Sequence, residues 1–138
     1  MRLRGIIACM TVLVMSLGAT VPLMAGTRFT EVTVDQARGL IQKHAGTGEF
    51  VILDVRTPGE FAEGHLFGVV NVNLMGPDFE RRLDALDRAK TYLVYCRTGS
   101  RSAKAIQAMQ RLSFRSVHHM FEGIVGWQKK GFPLSTSS

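Results

Sequence analysis

The 138 residues include 17 Lys and Arg against 11 Asp and Glu, a net charge of +6, with 46% hydrophobic and 20% charged residues. That length accommodates one domain and little more. The basic residues are scattered rather than gathered in blocks, which argues against a nucleic-acid partner.

Residues 1–25 stand apart from the rest. Arg2 and Arg4 form a basic start, Gly5 to Ala25 carries no charge, and Pro22 and the small residues Ser16, Gly18, Ala19 and Ala25 lie toward the end. This is the pattern of a secretory signal cut after Ala25, although Leu23 is not the small residue preferred ahead of such a bond and leaves the cut position open. The alternative is an uncleaved anchor at the inner membrane with the domain facing the periplasm, since about 20 apolar residues can cross a bilayer. A lipoprotein signal ending at Cys9 is rejected: four uncharged residues separate Arg4 from Cys9, where an apolar region needs about seven or more. The expectation is a signal at 1–25 and one exported domain at 26–138, soluble in the periplasm of a Gram-negative source after cleavage. Membrane contact follows only if the signal stays. Cleavage removes two basic residues and no acid, leaving 15 against 11, or +4. It also leaves Cys96 as the only cysteine, in a compartment that favours disulfides. An unpaired thiol there is reactive or intermolecular.

The remaining segments alternate. Thr33-Val34-Asp35-Gln36 matches a capping box, and the stretch to Lys43 places Val34, Ala37 and Ile41 on one helical face. Gly46 and Gly48 break the chain. Phe50 to Leu53 is a continuous apolar run, as in a strand covered on both faces. Val69 to Asn73 and Ser116 to Met120 are weaker strand candidates. Phe79 to Arg88 spaces Phe79, Leu83 and Leu86 as a helix does, and Ser102 to Leu112 does the same with Ala105, Ile106, Met109 and Leu112. Between them Thr91 to Tyr95 reads as a strand. Only the short Ser/Thr tail from Ser135 is of low complexity. Such alternation implies right-handed crossovers and a mainly parallel sheet. Functional residues gather at the carboxyl ends of such strands, where Asp54 and Cys96 fall.

Cys96 opens the run Cys96-Arg97-Thr98-Gly99-Ser100-Arg101 between a strand and a helix. Loop N–H groups, a helix N-terminus and two arginines favour a thiolate there and can hold an anionic adduct. Gly99 permits consecutive N–H groups to turn inward. A buried, inert cysteine is the bland alternative, but a basic polar loop makes a poor core.

Four stretches taken in order resemble the rhodanese family. They are Leu53-Asp54-Val55-Arg56-Thr57-Pro58-Gly59-Glu60-Phe61; Glu63-Gly64-His65-Leu66 with Gly68 and Asn71; Tyr95 to Ser102; and Gly123, Trp127, Gly131, Phe132 and Pro133. The likeness spans about residues 30–134. It departs at Phe67, where the family usually has proline, and at Glu122, where it usually has the first of two glycines. The resemblance implies a three-layer α/β/α domain around a mainly parallel sheet. It implies a sulfurtransferase in which Cys96 takes sulfane sulfur from thiosulfate or a similar anionic donor, becomes a persulfide, and passes the sulfur to cyanide or a thiol. Arg97, Thr98, Gly99, Ser100 and Arg101 would form the substrate-binding loop, with both arginines guiding the donor. Asp54 would organise loops by hydrogen bonding, and Arg56 would form an ion-paired brace with Glu60 or Glu63. No metal or organic cofactor is implied, because the persulfide is the carrier.

Two rival readings remain. One is a persulfide carrier or interaction module for a redox protein, without turnover. The other is a phosphatase or arsenate reductase, disfavoured because Cys-x4-Arg is one residue shorter than the phosphate cradle Cys-x5-Arg, and Ser102 stands where that arginine would be. Of the other polar residues, His65 reads as a structural histidine. His118 and His119 point to opposite faces of a strand and make a poor metal pair. Trp127, Tyr92, Tyr95 and Phe121 read as packing.

Overall fold

The computed structural model describes residues 26–136, so the signal expected at 1–25 lies outside the described residues. Five strands, β1 (Arg28–Val32), β2 (Phe50–Asp54), β3 (Val69–Asn71), β4 (Thr91–Tyr95) and β5 (Ser116–Met120), form one sheet in the order β1-β5-β4-β2-β3. Every pairing is parallel. Five helices, α1 (Val34–His44), α2 (Pro58–Glu63), α3 (Phe79–Asp84), α4 (Ser100–Arg111) and α5 (Gly123–Lys129), alternate with the strands.

Successive side chains of a strand point to opposite faces, and the apolar runs of β2 and β4 therefore supply two cores. Leu53, Tyr92 and Val94 join Phe79, Leu83, Ala105, Met109 and Val117 on the α3–α4 face. Ile52, Leu93 and Tyr95 join Val34, Ala37, Met120, Ile124 and Trp127 on the α1–α5 face. The three-layer α/β/α architecture follows from this two-sided burial. Cys96 belongs to the α3–α4 core.

The capping box at Thr33 is present: Thr33 Oγ1 accepts the Gln36 N–H, and Gln36 Oε1 accepts the Thr33 N–H. α3 ends at Asp84, short of Arg88, and α4 begins at Ser100, two residues before the periodicity suggests. β1, α2 and α5 are additional to the sequence expectation. β1 buries only Val32, so hydrophobic pattern hardly marks it. α5 carries Gly126 within its span, a poor helix former. Among the described residues no helix is long and apolar enough to cross a membrane.

Candidate active site

β4 is buried from Tyr92 through Tyr95 and delivers Cys96 to the carboxyl edge of the sheet, where the sulfur-bearing residue is 1% exposed. The loop that follows is held by its neighbour. The N–H groups of Ile124 and Val125, in the first turn of α5, donate to the carbonyls of Cys96 (2.9 Å) and Arg97 (3.2 Å). Two glycines make this approach possible. Gly99 has φ +100°, and a Cβ there would lie 2.3 Å from the Phe121 carbonyl oxygen; Gly123 has φ +65°, and its Cβ would lie 2.2 Å from that of Arg97. Only glycine fits both the backbone and the space.

With two carbonyls drawn toward α5, the loop turns donors toward the sulfur. The Gly99 N–H donates to Cys96 Sγ at 3.1 Å, and the Ser102 hydroxyl lies 3.3 Å from it. Burial by itself raises the thiol pKa. Hydrogen bonds from the Ser102 hydroxyl and from the backbone N–H groups of Ser102, Gly99 and Thr98 outweigh it, and the net direction is down. These donors stabilise the anion more than the neutral thiol. Ser102 Oγ also lies 2.7 Å from His119 Nε2, whose other nitrogen is 3.6 Å from Glu31 Oε1.

The two loop arginines differ. Arg101 reaches Glu60 with two 2.7 Å bonds, Nη1 to Oε2 and Nη2 to Oε1. Glu60 is also the acidic member of the α2 capping box, accepting the Thr57 N–H at 3.1 Å. The Arg101 guanidinium holds the Glu60 carboxyl down at about 2. Arg101, expected together with Arg97 to guide the donor, is engaged by a carboxylate that comes 41 residues earlier in the chain. Arg97 is exposed and lines a cleft of about 140 Å³ together with Arg56, Glu60, Glu63 and Gln128. Among the described residues no carboxylate lies within ion-pair distance of Arg97. Thr98 and Ser100 are exposed at the loop surface.

Asp54 and Arg56 are both buried and pair with each other. The Asp54 carboxylate accepts the Arg56 N–H (2.9 Å), Nε (3.0 Å to each oxygen) and Nη2 (2.7 Å). Arg56 Nη2 also donates to the Gly64 carbonyl at 2.7 Å. The brace expected between Arg56 and Glu60 or Glu63 is corrected accordingly, because the chain bends after β2 and folds Arg56 back onto the residue two before it. All of these Asp54 carboxylate contacts are to Arg56, at the start of the bend that follows β2. His65 stacks on Phe61, with ring centroids 3.8 Å apart, and its Nδ1 bonds the Phe61 carbonyl. Trp127 donates its Nε1–H to the Pro133 carbonyl. Phe121 is 40% exposed, whereas Tyr92 and Tyr95 are core residues.

Sequence reasoning singled out neither Ser102 nor His119 as part of the site. The signal available was strand parity: His119 shares the α4 face with Val117, beside the strand that ends at Tyr95, just before Cys96. Glu122, one of the two departures, has a definite task, since its Oε2 accepts the Val34 N–H at 2.7 Å and so caps α1 from across the fold. The other departure, Phe67, is 60% exposed.

The family described as Rhodanese-like domain matches residues 37–130. A protein named thiosulfate sulfurtransferase 16, chloroplastic, from Arabidopsis thaliana is 34% identical over 91 residues, 59% of this chain and 76% of that relative. The thiosulfate sulfurtransferase GlpE of Actinobacillus pleuropneumoniae is 28% identical over 109 residues, covering 79% and 95% of the two chains. Among solved structures, a rhodanese-related protein of Thermoplasma volcanium superposes with a TM-score of 0.64 at 24% identity, over 78% of this chain and 99% of that one.

Proposed function

The chain belongs to the rhodanese-like domain family, and on that premise we propose that it is a sulfurtransferase using thiosulfate or a similar anionic donor. The observation that carries the reading is the ring of donors around Cys96 Sγ, with Gly99 N–H at 3.1 Å and the Ser102 hydroxyl at 3.3 Å. Such a cradle stabilises the thiolate that attacks the donor and is regenerated at the end of the cycle. Arg97, exposed at the cleft, attracts the donor. Arg101 and Glu60 fix the shape of the loop.

The Cys96 thiolate attacks the sulfane sulfur of thiosulfate. A new S–S bond forms, the old one breaks, and its electron pair leaves on sulfite. Two negative charges depart with sulfite, and one remains on the persulfide. Cyanide or a thiolate then attacks the outer sulfur and regenerates the Cys96 thiolate. No metal or organic cofactor enters this cycle. The loop length supports sulfur over phosphate, since Cys-x4-Arg encloses a smaller cradle than Cys-x5-Arg; Arg101 lies in the first turn of α4 against Glu60. Export of residues 26–138 by the signal at 1–25 belongs to the same proposal, as does a redox protein as one source of the acceptor thiol.

Turnover of thiosulfate and cyanide to thiocyanate tests the reading, with Cys96→Ser expected to abolish it. Stoichiometric sulfur uptake without turnover would instead assign a carrier. Cys96-dependent hydrolysis of an aryl phosphate would overturn the reading of the loop.

A further inference from the structure

Ser102 has one hydroxyl proton and three acceptors within reach: Cys96 Sγ at 3.3 Å, the Gly99 carbonyl at 3.1 Å and His119 Nε2 at 2.7 Å. A hydroxyl donates one hydrogen bond and accepts up to two, and two arrangements connect Cys96 to His119 without a break when the Ser102 proton is not given to the Gly99 carbonyl. In the first, the Cys96 thiol donates to Ser102 Oγ, Ser102 donates to His119 Nε2, and His119 keeps its proton on Nδ1, facing Glu31. In the second, Cys96 is a thiolate accepting the Ser102 hydroxyl, and His119 is an imidazolium donating from Nε2 to Oγ and from Nδ1 toward Glu31 Oε1, 3.6 Å away. The two differ in the position of protons and not in net charge.

The geometry points to His119 as the positioning residue that takes and returns the Cys96 proton through the Ser102 hydroxyl. The S–H bond breaks and its proton passes to Oγ, while the Ser102 proton passes to Nε2. No electron changes hands and no co-reactant is needed. His119 also lines a second cavity, about 170 Å³, with Glu31 of β1 and Ile106 and Gln110 of α4. None of these residues lines the cleft beside Arg97, so the His119 ring meets solvent on a different side of the loop from Arg97. The charged and titratable groups facing His119 are Glu31 from β1 and Cys96 from the loop after β4; Arg101 on α4 acts on Cys96. Burial depresses the proton affinity of His119 and outweighs Glu31 and the Gly99 carbonyl, so the net direction is down while Cys96 keeps its proton. A thiolate on Cys96 adds to the effect of Glu31, which makes the second arrangement self-supporting.

The inference rests on Cys96 being the reacting sulfur, whatever its cargo. The test is therefore the pH dependence of Cys96 alkylation by iodoacetamide. His119→Asn and Ser102→Ala are each expected to slow alkylation near neutral pH by about tenfold, equivalent to about one pKa unit. The double variant should be no slower than the slower single variant, since the two act as one unit. Ser102→Thr, which keeps the hydroxyl, should retain the wild-type profile. Glu31→Gln, at an exposed position, should shift the profile the same way by less. A wild-type profile in His119→Asn, or additive losses in the double variant, would overturn the inference. Should His119→Asn fail to fold, ¹⁵N shifts of the His119 ring in the wild type decide: the ring must change protonation together with Cys96, and a ring that titrates independently overturns the relay. Expected alkylation profiles without sulfur transfer would reject the sulfurtransferase reading and leave the relay standing.

Discussion

Replacing Gly99 by alanine separates the two demands the Cys96 loop makes on that position. A β-carbon in the left-handed region costs about 1–2 kcal/mol, and Gly99 has φ +100°. The added carbon would also lie 2.3 Å from the Phe121 carbonyl oxygen, whereas real Cβ atoms stay beyond 3.0 Å. The β5–α5 connection must therefore retreat, and overpacking of this kind costs roughly a further 1–3 kcal/mol. Gly46 is the internal control, with φ +75° and nothing within 4 Å of its added Cβ. Gly46→Ala should lose only the backbone contribution. Urea unfolding is expected to place Gly99→Ala about 1–3 kcal/mol below Gly46→Ala, and Cys96 alkylation should slow because the Gly99 N–H moves off the sulfur. Equal stability losses in the two variants, with Cys96 reactivity intact, would refute the argument that close backbone approach shapes the loop.

Glu60→Gln removes the carboxylate that holds Arg101. The depressed Glu60 pKa means that its stabilisation is fully present above about 4.5 and is lost as pH falls toward about 2. The two side chains are 22% and 28% exposed, so screening reduces the expected loss in Glu60→Gln to about 1 kcal/mol at neutral pH. Thermal unfolding against pH should show the gap between wild type and variant closing across that window; a gap that widens on acidification would be the wrong sign. Asp54→Asn leaves the Arg56 guanidinium buried without its counter-charge, and urea unfolding should register a loss of about 3 kcal/mol or more. A loss under about 0.5 kcal/mol, the size of an ordinary surface change, would show that the pair does not hold the β2–α2 bend.

Legibility in the sequence followed how local each feature is. The Cys96–Arg101 run could be read directly, because a strand, a glycine and a helix start in succession already prescribe where the N–H groups turn. β4 and β5 match their apolar and alternating runs residue for residue. What could not be read is set by chain crossings. Arg101 meets Glu60 across 41 residues and His119 meets Ser102 across 17, and neither spacing leaves a periodic trace. Arg56 is a different case: its partner is only two residues away, but the bend after β2 is needed to bring them together. β1 escaped notice because an edge strand buries so little that alternation has nothing to mark. α2 was within reach, since Thr57-Pro58-Gly59-Glu60 carries both a capping box and proline at the first helical position. Glu122 shows that a departure from a family pattern need not be a defect. Its carboxylate accepts an α1 N–H that a glycine could not bond.

As a sulfurtransferase, the protein accepts one sulfur atom on Cys96. Intact mass of the purified protein, before and after thiosulfate and then after a thiol reductant, tests it directly. A gain of one sulfur atom is expected after thiosulfate, with its loss on reduction and no gain in Cys96→Ser. A reduced, fully alkylatable Cys96 that gains no mass from thiosulfate or any other sulfane sulfur donor would contradict it.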